Sequence, residues 1–141
     1  MTIAQSATNT FKLGMMNGSY NLSGGSFKIA LYTGAASIGP DTAAYTTDGE
    51  VVATGYTAGG ETLSITQAPT IGTQTGVATV YMSFGDVTWT SALTARGALI
   101  YDANTLASVC VLDFGADKTS TTTFTVQFPA VTNTSAIIRM S

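Results

Sequence analysis

From Ser26 onward the chain repeats one arrangement. Short runs carry apolar residues at every second position, and clusters of Gly, Ser, Thr, Asn and Asp separate them. Phe27-Lys28-Ile29-Ala30-Leu31-Tyr32 is the clearest case, placing Phe27, Ile29 and Leu31 on one side of an extended strand. The same reading predicts strands over 61–66, 77–84, 86–89, 96–101, 108–114, 121–128 and 136–140, with a further short one at 50–53. Asp102-Ala103-Asn104 and Gly115-Ala116-Asp117 carry turn chemistry between the later strands, and Asp117-Lys118 reads as an exposed hairpin tip. The stretch 33–60 is rich in Gly, Ala and Thr and is broken by Pro40, Asp48-Gly49 and Gly59-Gly60. It is long for a connection inside one domain.

The period differs near the start. A short helix is expected over 11–16, where Phe11, Gly14 and Met15 share a face. Thr8 or Thr10 would cap its start, and Asn17-Gly18 would end it. Residues 1–10 are mostly small and polar, show no period and read as a flexible arm. Together these elements predict an all-β fold, a jelly-roll-like β-sandwich of about eight or nine short antiparallel strands. No helical segment is available for crossovers between parallel strands. One domain spans 1–141, with the arm at 1–10 and the sandwich at 11–141.

Composition changes this picture mainly through charge. Only 9% of residues are charged, against roughly 25% in an average soluble domain. Hydroxyls and methyls lose water at far smaller cost than carboxylates or ammonium groups, so such a surface is easily buried against a partner. The net charge is −3, and the five basic residues (Lys12, Lys28, Arg96, Lys118, Arg139) are scattered singly. That argues against nucleic acid, which needs clustered cations. No apolar stretch approaches the eighteen or so residues of a membrane span, so no membrane partner is expected. Met1-Thr2-Ile3-Ala4-Gln5-Ser6 lacks the basic start and apolar run of a signal peptide, which leads us to expect synthesis in the cytoplasm.

Catalytic chemistry finds few candidates. With no histidine, neither a Ser-His-Asp nor a Cys-His arrangement can be built. The single cysteine, Cys110, lies in the apolar run Val109-Cys110-Val111-Leu112 and reads as a buried small hydrophobe. Asp48 and Glu50 flank Gly49 in a loop to which only Asp41 could add a further acid. Calcium takes six to eight oxygens, so a plain turn explains these residues better, and no cofactor is expected. The expectation is a non-enzymatic protein that makes contacts. Ile3, Phe11, Met15, Tyr20, Trp89 and Arg96 are its candidate interface residues. Arg96 reads equally as an interface anchor or as a strand-edge charge that prevents aggregation. Trp89 with Tyr81 would be the place to look for a sugar-stacking face.

Several segments carry a resemblance. Phe11-Lys12, the 27–32 run, Thr94-Ala95-Arg96-Gly97-Ala98-Leu99-Ile100-Tyr101, Val111-Leu112-Asp113-Phe114-Gly115 and Ile137-Ile138-Arg139-Met140 resemble small structural proteins of tailed bacteriophages. The chain is similar to the capsid cement, or decoration, proteins of podovirus-like phages, of the kind carried by a Bordetella phage. The resemblance implies a jelly-roll-like fold, a homodimer on the outer capsid surface of the virion, and the major capsid protein as partner. It implies no active site. The alternative carried by the same fold class is a phage tail, fibre-tip or lectin-like host-binding module.

Overall fold

Phe27–Tyr32 forms a strand whose two faces are buried against different layers, and the architecture follows from that. The computed structural model describes residues 2–74 and 76–140. In chain order the elements are β1 (Ser6–Ala7), α1 (Asn9–Asn17), β2 (Phe27–Tyr32), β3 (Glu61–Leu63), β4 (Ile65–Gln74), β5 (Val77–Phe84), β6 (Val87–Trp89), β7 (Thr94–Asp102), β8 (Ser108–Thr119), β9 (Phe124–Val126) and β10 (Ile138–Met140). One sheet runs β1-β8-β7-β2-β3, a second runs β10-β5-β4, and β6 pairs with β9. Every one of these strand pairs is antiparallel. The fold is an all-β sandwich with one short helix, as the alternating pattern predicts.

Phe27, Ile29 and Leu31 of β2 join Ile100 and Val109 in a core shared with Met82, Phe84, Trp89 and Phe124 of the smaller sheets. Each fully buried side chain of this kind contributes about 1.5–3 kcal/mol. The opposite face of the five-stranded sheet carries Ala30, Tyr32, Leu99, Tyr101 and Val111. Ala36, Ile38 and Tyr45 from the 33–60 stretch cover it, together with Ile3. The long connection is thus a layer of the protein. Sheet residues buried on both faces give a continuous apolar run instead of alternation, which accounts for Gly97–Asp102, buried throughout.

The helix begins where its cap requires. Thr8 has extended backbone and its side chain accepts from the Phe11 N–H, while Gly18 ends the helix in the left-handed region at φ 79°. Gly14 has a specific reason to be glycine, since an added Cβ would lie 2.1 Å from the Tyr20 ring.

Several expectations need correction. The segment read as a flexible arm is docked over its described residues; Met1 lies outside them. Ser6 and Ala7 pair with Val111 and Cys110, Ile3 is buried, and Thr8 is fully buried. Local sequence shows no period there because only single residues touch the sheet. Ile3 fits because Gly97 leaves room, where a Cβ would come within 2.9 Å of it. Residues 50–53 form no strand, although Glu50 makes one bridge to Tyr32. Gly115-Ala116-Asp117 does not end a strand. β8 continues to Thr119, and the pairing jumps from Gly97↔Asp113 to Ala95↔Lys118, so the extra residues form a bulge. Asp117-Lys118 is therefore within a strand and not at a hairpin tip. β4 extends beyond 66 because it is an edge strand whose register slips around Pro69, the setting in which a sheet accepts proline.

Candidate interaction surface

An apolar surface lies where α1 meets β8 and β10. A groove of about 720 Å³ is lined by Phe11, Met15 and Met16 of the helix, Cys110 to Leu112 of β8, and Ile137 to Met140. A second groove of about 240 Å³ adjoins it, sharing Met15, Ile138 and Met140 and adding Tyr20, Val80 and Met82. Four of the chain's five methionines line the pair. Met16 is 88% exposed, and Leu13, Val80 and Met140 are exposed as well. Unbranched thioether side chains repack readily and suit a surface that receives a partner. A contiguous exposed apolar patch marks an interaction site, whereas single exposed residues such as Val52 and Ile71 are ordinary.

Of the six residues expected at an interface, some line this surface, Ile3 and Trp89 lie in the interior, and Arg96 belongs to neither group. Met15 and Tyr20 line the grooves. Phe11 reaches the groove wall, but it is buried and packs edge-on to Tyr20 at 5.1 Å, so its main role is to hold the helix down. Tyr20 donates its hydroxyl hydrogen to the Ser108 carbonyl at 2.6 Å. Ile3 lies under the sheet's other face. Trp89 is only 2% exposed and packs against Tyr56 and Phe124. It therefore offers no stacking face for a sugar, because its ring faces the core. Arg96 lies on β7, an internal strand, so it is no edge charge. Its Nε donates to Asp113 Oδ1 at 3.1 Å, which also accepts from the Gly115 N–H at 2.8 Å. These contacts hold the Asp113 carboxyl below its usual range, the Gly115 N–H contributing most. The pair pins the β7–β8 bulge.

Sequence reading missed one polar cluster. Glu50, 7% exposed, accepts from the Tyr45 hydroxyl at 2.6 Å, the Tyr56 hydroxyl at 2.8 Å and the Gly59 N–H at 2.7 Å. Tyr56 in turn accepts from the Leu31 N–H, and Tyr101 donates to the Gly59 carbonyl at 2.6 Å. Both carboxylate oxygens are engaged, so Glu50 is a fastening for the 33–60 layer. Asp48 is exposed, and Asp41 accepts from the Asn9 side chain. The three acids do not converge, and no group of three potential metal ligands is found among the described residues. The tyrosines were legible only as individual aromatics, because nothing local in sequence shows that Tyr45, Tyr56 and Glu50 meet.

Cys110 is buried in the floor beneath β1, and burial pushes its thiol up to about 12. At pH 8 iodoacetamide should alkylate the native protein at least about a hundredfold more slowly than the urea-unfolded chain. Mass spectrometry of timed aliquots measures both rates; equal rates would contradict the burial. No helix among the described residues is long and apolar enough to cross a membrane. No protein-family model matches the chain, and neither a curated protein nor a solved structure matches it.

Proposed function

We propose that this protein is a virion structural component, a cement or decoration protein that binds an assembled capsid lattice and bridges capsomers without catalysis. The observation that carries the reading is the methionine-rich double groove between α1, β8, β10 and β5, on a chain with only 9% charged residues. Such a surface becomes buried at modest desolvation cost. A ligand that binds the assembled shell and not its free subunits shifts the equilibrium toward assembly. One standard interface buries roughly 1,600 Å², and a homodimer gripping two capsomers gains further by effective concentration. The resemblance to podovirus-like cement proteins supports the same reading. On that reading the protein sits on the outer capsid surface, with the major capsid protein as partner.

The test is direct. Purified virions of the phage that encodes the chain should contain it at a copy number comparable to that of the major capsid protein, read from gel band densities. Met16→Asp, a change at an exposed position, combined with Met15→Asp, should lower occupancy by about tenfold or more. Absence from particles would remove the proposal outright, and presence at fibre-like copy number would replace it with a tail or host-binding role.

A further inference from the structure

The larger groove is bounded by the outer strands of two different sheets. β1 is the edge of the five-stranded sheet and β10 the edge of the three-stranded one, and Ser6, Ala7, Ile138 and Met140 line the same groove. Each of these strands has a single neighbour, so part of its backbone N–H and C=O groups point away from that neighbour. Between the two edges the floor is apolar.

The rim has a sign. Lys12 from α1 and Arg139 from β10 line the groove, and no Asp or Glu does, although acids outnumber bases eight to five in the whole chain. Both cations are exposed. The ion pair among the described residues joins Arg96 to Asp113 and involves neither of them.

We propose that this groove receives an extended segment of a partner chain as an added β-strand, with apolar residues at alternate positions against the methionines and carboxylates beside Lys12 and Arg139. Backbone bonding to an open edge gives such a complex its affinity, and alternate side chains give it specificity. An acyl chain or an apolar helix face would match the floor, yet it would take water from the strand edges without replacing the lost hydrogen bonds, which is costly. The short edges, two residues in β1 and three in β10, set a segment of only a few residues. The identity of the partner as a capsid chain rests on the reading above; the recognition chemistry does not.

The experiment uses the full chain and two fluorescein-labelled peptides, Glu-Val-Thr-Val-Thr-Val-Glu and the same peptide with Lys at both ends. Fluorescence anisotropy should show the acidic peptide binding about tenfold or more tightly than the basic one, with the preference weakening in salt. The double variant Lys12→Glu, Arg139→Glu should reverse that preference while keeping the wild-type Tm, since both positions are exposed. N-methylation of alternate peptide bonds in the acidic peptide should abolish binding. Absence of binding, no reversal in the double variant, or indifference to N-methylation overturns the inference. So does dodecanoate binding that depends on Lys12 and Arg139 while the acidic peptide fails to bind. If the double variant keeps full occupancy on virions, the groove's partner is not a capsid chain and the cement role survives; if the peptide outcomes fail as well, the groove inference falls alone. If the acidic peptide binds as described and the protein never associates with particles, the cement role fails and the groove inference survives.

Discussion

Replacing Glu50 with alanine should lower the Tm by about 10 °C. The carboxylate accepts three hydrogen bonds in a nearly closed environment, and bonds to a charged acceptor are worth about 1.5–3 kcal/mol each before water fills the gap. A net loss of about 3 kcal/mol is reasonable, because the freed Tyr45 and Tyr56 hydroxyls rotate to recover part of it. For a chain of this length each kcal/mol moves the Tm by about 3 °C. Glu50→Gln should cost roughly half as much, since one oxygen stays in place while the amide meets a donor. Circular dichroism gives the Tm, and limited proteolysis should show new cuts within 33–60, the layer that Glu50 fastens. An unchanged Tm in the alanine variant would mean that the cluster is incidental.

The same cluster makes a prediction about pH. The Tyr32, Tyr45 and Tyr56 hydroxyls are all raised well above the ordinary value of 10.0, first by burial and further by the nearby Glu50 carboxylate. A raised folded value means the unfolded chain ionises first. Their contribution to stability is therefore complete below about pH 10 and is lost as pH climbs toward the folded values. Cys110 acts in the same direction, from its ordinary value of 9.0 toward about 12. Absorbance at 295 nm should show these three tyrosines silent at pH 11 in the native protein and ionised in urea. Their titration at ordinary values in the folded state would contradict the closed geometry.

Deleting residues 1–8 should have the larger effect, a fall of about 15 °C or a failure to fold. Ile3 contributes about 1.5–3 kcal/mol by burial, and loss of the Thr8 cap costs about 1–2 kcal/mol. Thr8 also accepts from the Ser108 hydroxyl at 2.9 Å and donates to the Val109 carbonyl at 3.2 Å, and the β1 pairing is removed with it. Together these approach the 5–15 kcal/mol that stabilises an ordinary domain. Thr8→Ala alone should cost about 1–2 kcal/mol. A truncated chain with the wild-type Tm would restore the flexible-arm picture. The deletion is thus a test of folding, and occupancy on particles is better probed through Met15 and Met16.

The candidate site was partly legible. Phe11 and Met15 are readable as one helix face because helix spacing is local, whereas the packing of Tyr20 against that helix is visible only in the structure. Trp89 and Ile3 were misassigned for one physical reason. An isolated large apolar residue carries no local mark of whether it faces a core or a partner, and burial depends on which layer the topology brings over it. Met16 and Met140 line the groove yet stand outside the expected interface set for the converse reason. They are terminal or exposed positions that become a surface only when β10 is placed beside α1.

Sequence alone determined the capped helix and the location of most strands. Side chains alternate across a pleated strand, and Thr8 with Gly18 brackets one helical run, so these choices rest on neighbours within a few residues. Only the tertiary structure decided that the five-stranded sheet is covered on both faces, that 33–60 is a layer fastened through Glu50, and that two strand edges open onto one apolar groove. Those facts depend on contacts between residues far apart in the chain. Their energy comes from excluded water and completed hydrogen bonds, which no short window of residues records.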